Sequence, residues 1–327
     1  MMRLSHISFP LAIAIALLTL LPGLFSGNAH AQQDPKFNQY MFNPLGINPA
    51  YAGSRDALSA VALFRNQWVG FKGAPITQTF SIHGPLASRK MGLGFQITND
   101  IIGPRNTINA EVDYAYRFPL LEGKLALGLG GGIYYHTFNW DKIDYIDQGD
   151  FVPTYGERQA WSPDVDFGTY WNNNRMYFGF ELAHLTNPRV NILNNDSVSN
   201  TLNGGGNSGY RQFRHVSITA GRAFVLNKSL VLKPSVLYKQ AGLYRGMFDL
   251  NVSILVNNKL WMGITARTDY GAVLIFEYIF NKKIRMGYSF DYPINKLNLQ
   301  TRGTSHELFL GYDFGVSRAA SISPRYF

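Results

Sequence analysis

The chain has 327 residues, with 30 lysines and arginines against 21 aspartates and glutamates, a net charge of +9 and no cysteine. The lack of cysteine excludes a fold held together by disulfides. The basic residues are scattered, with no basic helix or aromatic RNA-binding motif, so no nucleic acid partner is expected. Phe, Tyr and Trp are abundant (23, 19 and 5), which is typical of a sheet with one lipid-facing side.

The N-terminus has the features of a secretory signal peptide. Arg3 supplies a positive charge, an apolar run extends from Phe9 to Leu24, and Ala29-His30-Ala31 provides the small residues at which signal peptidase cuts. We therefore expect residues 1–31 to be removed, with cleavage after Ala31. An uncleaved membrane anchor is the weaker alternative, because the apolar run is shorter than the roughly 20 residues of a spanning helix.

Residues 32–56, called the pre-barrel segment below, precede the first candidate strand. Pro35, Pro44 and Pro49 predict extended, non-helical backbone there. Its asparagine and aromatic side chains suit either a polar lumen or a partner protein, so we expect a plug or a docking segment, the plug being favoured over docking. A disordered tether is the alternative. The candidate contact residues are Phe37, Gln39, Tyr40, Met41, Phe42, Asn43, Asn48, Pro49 and Tyr51.

Beyond this segment, alternation with a period of two dominates the sequence. From Thr107 to Phe118 the even positions are all apolar or aromatic, and the odd positions are mostly polar or charged. Successive side chains of a strand point to opposite faces, so this pattern predicts a strand with one apolar and one polar face. It recurs in about fourteen candidate strands, which begin near residues 57, 76, 90, 107, 124, 163, 175, 211, 230, 246, 259, 271, 283 and 305.

The connections between these strands distinguish a membrane barrel from a soluble sandwich. Short turns follow alternate strands, at 119–123, 172–174, 227–229, 257–258 and 281–282. The other connections are generally longer, at 99–106, 139–162, 185–210 and 293–304, although 269–270 is tight. Short turns on one rim and long loops on the other are typical of bacterial outer-membrane barrels. The sequence predicts an all-β fold, a transmembrane antiparallel barrel over residues 57–316 with its short turns on the periplasmic side.

Two local features of the strands carry further predictions. The inward positions of the strand near residue 125 include Gly128, Gly130 and Gly132. Strand glycines allow close approach of another chain segment, and we expect the pre-barrel segment to fill that space. Pro234 lies inside a candidate strand and removes a ladder donor, which predicts a bulge or kink.

The polar face carries charges but no recognisable catalytic motif. Interleaved inward carboxylates and basic residues predict a structural lattice of ion pairs rather than paired acid–base catalysts. The carboxylates are Glu111, Asp113, Asp164, Asp166, Glu181, Asp249, Glu277, Asp291, Glu307 and Asp313, and the basic residues are Arg65, Arg117, Arg175, Lys233, Lys239, Arg267 and Arg285. The histidines at 83, 136, 184, 215 and 306 show no metal-ligand spacing. We expect no catalytic residue, cofactor or metal site.

Two stretches of this chain strongly resemble the PorP/SprF family, outer-membrane components associated with type IX secretion and gliding in Bacteroidetes. The more specific one is DPKFNQYMFNPLGINPAYAG, from Asp34 to Gly53, and the other is the terminal SPRYF. Asn66–Trp68, the chain length and the strand rhythm are also similar to the family.

The resemblance implies a non-enzymatic role at the cell outer membrane. Such proteins support export or surface anchoring of large cargo proteins with type-B C-terminal sorting domains, beside periplasmic ring and motor components. Lipid and lipopolysaccharide are the expected surroundings. A small-molecule channel or transporter is the alternative function. Residues 317–327 are expected to form a periplasmic tail, in which Pro324, Arg325 and Tyr326 are candidate contacts.

Overall fold

The structure is a computed structural model that describes residues 34–55, 57–143, 156–190, 210–268, 270–281, 283–293 and 303–314. The strands are β1 (Leu58–Asn66), β2 (Ile76–Pro85), β3 (Met91–Ile102), β4 (Arg105–Leu120), β5 (Gly123–Asn139), β6 (Glu157–Asn172), β7 (Met176–Ala183), β8 (Arg189–Val190), β9 (Tyr210–Arg211), β10 (His215–Arg222), β11 (Phe224–Asn227), β12 (Leu230–Ala241), β13 (Met247–Val256), β14 (Leu260–Arg267), β15 (Gly271–Phe280), β16 (Ile284–Pro293) and β17 (Ser305–Phe314). Short 3-10 turns occupy Pro44–Ile47, Pro49–Tyr51 and Trp140–Lys142.

Fourteen of these strands form a closed antiparallel barrel. Each strand pairs with its neighbours along the chain, and β1 pairs with β17 to close the ring, from Leu58 opposite Phe314 to Asn66 opposite His306. β11 is a short extra strand that continues β10 along β12. β8 and β9 form a separate two-stranded pair. No helix among the described residues is long and apolar enough to cross a membrane.

The two faces of the barrel wall have the polarity that the alternation predicts. On β4, Glu111 and Asp113 are buried in the lumen, at 6% and 0% exposure. Val112 and Tyr114, between and beside them, are 56% and 40% exposed on the outer face. Apolar side chains point outward and charged ones inward, which is the arrangement of a barrel surrounded by lipid.

The predicted all-β barrel of about fourteen strands is confirmed. Two predicted starts are displaced by several residues. β6 begins at Glu157 rather than near 163, because its ladder with β5 continues to the pair Asn139–Glu157. β10 begins at His215 rather than near 211, because Arg211 pairs with β8 instead.

Two local predictions are wrong, and a third, the bulge or kink at Pro234, meets an irregularity on one side of the strand only. Residues 99–106 are not a long loop, because β3 and β4 continue and only Gly103 and Pro104 join them. Arg175 does not face the lumen, since it lies exposed in the turn before β7. Pro234 causes no bulge against β13, where it pairs in register with Val252. The irregularity lies on the other side of Pro234, where the ladder of β12 with β10 stops and β11 resumes it.

Several predictions concern residues outside the described ones. They are the signal peptide (1–31), most of the loops at 185–210 and 293–304, part of the loop at 139–162, and the tail at 317–327 with Pro324, Arg325 and Tyr326. The rim that carries the connections after β1, β3, β5, β7, β12, β14 and β16 is called the long-loop rim below. The opposite rim, where the chain enters β1 and leaves β17, is called the short-turn rim.

Candidate functional site

The described part of the pre-barrel segment, Asp34–Arg55, lies inside the ring of strands. Its prolines had predicted extended backbone, but Pro44–Ile47 and Pro49–Tyr51 form two successive 3-10 turns. Pro44 and Pro49 each occupy the first position of a turn, where the fixed φ of proline favours helical geometry and its missing N–H has no consequence. The side chain of Asn48 accepts a hydrogen bond from Ala50 N at 2.9 Å and caps the second turn.

Asp34 holds the segment at the long-loop rim. Its carboxylate oxygens lie 2.9 Å from His184 Nε2, 3.1 Å from His215 Nδ1 and 3.0 Å from Lys239 Nζ. Burial would raise the pKa of Asp34, but the nearby basic groups, His215 foremost, hold it well below its usual value. Burial would lower the pKa of His184, but Asp34 and Asp164 raise it to about 11. Both groups are therefore charged at neutral pH.

Glu307 on β17 holds the next part of the segment. Its carboxylate accepts hydrogen bonds from the backbone N–H groups of Asn38, at 2.8 Å, and Gln39, at 2.9 Å. Asn38 also donates through its side chain to Ser289 and Asp291. Arg65 completes this group, at 2.6 Å from Asp291 and 3.2 Å from Glu307. Every member is almost fully buried, so the bonds are protected from water.

Aromatic packing fixes the middle of the segment on two sides of the lumen. Phe42 packs against Trp261 and Phe309, with ring centroids 6.3 Å and 6.0 Å away. Tyr51 packs edge-on against Tyr170 at 5.2 Å. These contacts belong to two separate buried apolar clusters, so the segment bridges opposite walls.

Glycines in the wall make room for the turn at Asn48. A Cβ added at Gly128 would overlap the backbone of Pro49 and Ala50, and one at Gly168 would overlap the Asn48 side chain. The close approach predicted for Gly128, Gly130 and Gly132 is therefore found at Gly128. On the neighbouring strand, a Cβ at Gly130 would meet the Glu111 side chain, and one at Gly132 would meet the Ala110 backbone oxygen first.

The segment leaves the lumen at the short-turn rim. Gly53 has φ +71°, a conformation that favours glycine, and its N–H donates to His83 Nδ1 at 3.0 Å. Arg55 pairs with Asp313 at 3.0 Å. Because Asp34 is anchored near the long-loop rim and Arg55 near the short-turn rim, the segment runs along the lumen from one end to the other.

The charged lumen is divided into two regions. Around β13–β17 and β1, carboxylates pair with arginines, as in Asp249 with Arg267 at 2.7 Å. On β4, β6 and β7 the carboxylates lie together with few basic groups between them: Glu111, Asp113, Asp164, Asp166 and Glu181. The predicted ion-pair lattice is therefore present in the first region only. Arg117 donates to the backbone oxygens of Ala52, Arg89 and Met91.

The candidate contact residues of the segment are brought together in the lumen. Gln39, Tyr40, Met41, Phe42, Asn43, Asn48, Pro49 and Tyr51 are buried, and Phe37 is partly buried beside them. Sequence reasoning missed three further contacts, Asp34, Asn38 and Arg55. The signal for two of them was available, because Asp34 and Arg55 are charges at the ends of a stretch that is otherwise almost uncharged.

The histidines differ from the sequence-based expectation. Asp34, His184 and His215 offer ligand atoms that lie within 4.8 Å of one another. Strand pairing brings the two histidines together, since His215 lies opposite Ala183, the neighbour of His184. The sequence spacing gave no indication of this cluster.

Residues 29–312 match a family model described as "Type IX secretion system membrane protein PorP/SprF". A search of curated proteins gave no match. Among solved structures the chain is similar to the Ralstonia pickettii toluene transporter TbuX, with 12% identity, a TM-score of 0.49 and coverage of 88% of this chain and 95% of that one. It is also similar to the CymD monoaromatic hydrocarbon channel, with 11% identity, a TM-score of 0.47 and coverage of 87% of this chain and 94% of that one. A Pseudomonas aeruginosa FadL homologue is similar with 13% identity, a TM-score of 0.43 and coverage of 88% of this chain and 96% of that one.

Proposed function

The chain belongs to the PorP/SprF family of type IX secretion system membrane proteins, and from this premise we propose that its barrel supports the export or surface anchoring of large cargo proteins with type-B C-terminal sorting domains. It is an outer-membrane component of that system. Its part in secretion is non-enzymatic: it supplies a fixed surface for cargo and for the periplasmic secretion machinery.

The observation that carries this proposal, besides the family, is the occupied lumen. The pre-barrel segment runs through the barrel from Asp34 to Arg55 and is held by ion pairs at both ends. A filled lumen suits a component that presents docking surfaces at its rims better than one that conducts a substrate through its centre.

The segment itself serves as the plug in this proposal, rather than as the docking element. Its aromatic and amide side chains are buried against the barrel wall and are therefore unavailable to a partner. Docking then falls to the rims, where the long loops face cargo and the short turns, with residues 317–327, face the periplasm.

The test is a quantitative proteome of the medium and the cell surface from a strain that lacks this gene and its paralogues. The strain is complemented either with the wild-type gene or with a gene that lacks codons 34–53. Selective loss of one or a few large proteins with shared C-terminal domains supports the proposal, provided that the wild-type gene restores them. An unchanged surface proteome in the deletion strain contradicts it.

The alternative, a small-molecule channel, predicts a different result from the same strains. Uptake of a small solute would fall in the deletion strain while the surface proteome stayed the same. The shortened gene would then increase uptake, because removal of residues 34–53 would open the lumen.

A further inference from the structure

The cluster of Asp34, His184 and His215 at the long-loop rim has the composition of a transition-metal site. Imidazole nitrogens and a carboxylate oxygen are common ligands of zinc and related divalent ions. His184 Nε2 lies 2.9 Å from Asp34 Oδ1, and His215 Nδ1 lies 3.1 Å from Asp34 Oδ2. The two imidazole rings lie side by side, with centroids 5.0 Å apart.

The surroundings of His184 orient it as metal-binding histidines are oriented. Its Nδ1 hydrogen-bonds to the Asp164 carboxylate, which leaves Nε2 directed towards Asp34. A ligating histidine almost always donates its other ring N–H to a carboxylate or carbonyl, which fixes the tautomer. Asp164 is itself held in place by Thr186 Oγ1, at 3.0 Å.

His215 provides an independent observation that a ligand is missing. It is fully buried, its Nδ1 faces Asp34 Oδ2 at 3.1 Å without completing a hydrogen bond, and its Nε2 has no polar partner among the described residues. Buried polar groups are nearly always partnered, and an exception calls for an explanation such as an ion or a water molecule. The His215 ring points at the same carboxylate as His184, so one ion could satisfy both rings.

The adjoining cavity favours a cation. It has a volume of about 110 Å³ and reaches Asp34 and His184. The carboxylates that line it outnumber the lysine and arginine side chains; they are Asp34, Asp100, Glu111, Asp166 and Glu181. Lys239 does not block the site, because a ligating carboxylate can bind the ion while it accepts a hydrogen bond from another group.

We propose that Asp34, His184 and His215 bind one divalent transition-metal ion, with zinc as the reference ion, and that this ion fastens the pre-barrel segment to β10 and to the end of β7. The ion replaces the proton between His184 Nε2 and Asp34. The other nearby grouping, Asp164 and Asp166 with His184, is less suited, because it offers one imidazole where the first cluster offers two. This site goes beyond the proposed role in secretion and does not depend on it.

The test uses the full mature chain, purified in detergent, stripped with a chelator and titrated with Zn²⁺ alone. The expected stoichiometry is one ion per chain, measured by mass spectrometry of the metal, with release of a proton. Asp164→Asn should weaken zinc binding about 10- to 100-fold, and His215→Gln should weaken it further. His136→Gln is the matched control, because His136 is a buried lumen histidine outside the cluster. It should bind zinc as the wild type does.

Two results would overturn the proposal: a stripped wild-type chain that binds no zinc, or a folded His215→Gln chain that binds it with unchanged affinity. Circular dichroism establishes whether each variant is folded. If His215→Gln does not fold, the absorption spectrum of the wild-type chain with Co²⁺ decides. Ligand-field bands of an imidazole-bound ion support the proposal, and the bands of the hydrated ion alone contradict it.

Discussion

Glu307 is the residue on which the docking of the pre-barrel segment depends most directly. It is fully buried on β17 and accepts hydrogen bonds from two consecutive backbone N–H groups of the segment, those of Asn38 and Gln39. Glu307→Ala removes this acceptor and leaves both N–H groups without it. Arg65 keeps its second partner, Asp291, so the barrel wall retains one ion pair at this point.

The size of the effect follows from the number of bonds lost. A hydrogen bond to a charged group contributes about 1.5–3 kcal/mol, so two of them contribute about 3–6 kcal/mol to docking. A tenfold change in an equilibrium constant corresponds to about 1.4 kcal/mol, so the undocked population should rise about 10²- to 10⁴-fold.

The chain has no cysteine, which allows a single reporter thiol. Met41→Cys places that thiol at a position that is 5% exposed in the docked segment. We expect the rate of maleimide labelling of the folded barrel to rise by the same factor when Glu307→Ala is added. Glu111→Ala is the matched control, since Glu111 is likewise a buried carboxylate of the barrel wall but makes no hydrogen bond to the described part of the segment. Labelling that is the same in the Glu307 variant, the control and the parent would refute this account of docking.

Three further predictions use the same reporter or the thermal stability of the purified barrel. Gly128→Val should destabilise the barrel by about 1–3 kcal/mol and speed labelling, because the new side chain overlaps the segment. Gly131→Val should do neither, since nothing lies within 4 Å of its Cβ. Equal stability and labelling rates of the two variants would contradict the contact at Gly128. Arg65→Met should destabilise the barrel by about 3–5 kcal/mol, because it removes the ion-pair partner of the buried carboxylates of Asp291 and Glu307. Arg175→Met, at an exposed position, should leave the melting temperature unchanged. Similar melting curves of the two variants would show that the buried ion pairs contribute little to stability. Phe42→Ala should cost about 3–5 kcal/mol by emptying an aromatic site, and labelling at the parental rate would exclude a role for Phe42 in docking.

The barrel could be predicted from the sequence because each strand carries its own signal. The alternation around Val112 and Asp113 assigns each side chain to lipid or lumen without any knowledge of the neighbouring strands. Errors arose where composition suggested a loop but pairing continued, as on both sides of Gly103 and Pro104. There the hydrogen bonds of two long strands outweighed the local turn signals.

The candidate site could be predicted only in part, because its contacts join distant parts of the chain. Asn38 and Glu307 are 269 residues apart, and Asp34 and His184 are 150 apart. No local pattern encodes such pairs. The composition of the segment indicated that it would suit a polar lumen, but its path and its partners depend on the register of the whole barrel.

The pairing of β1 with β17 imposes an order on the assembly of this protein. The segment joins β1 directly, and its partners lie on strands from both halves of the ring, including β17, the last to be synthesised. After β1 and β17 have paired, the pre-barrel segment, with its two proline turns and the charged Asp34 at its far end, would have to be threaded lengthwise through a closed barrel. The segment must therefore already lie against the incomplete sheet when β1 pairs with β17, so that the barrel closes around it.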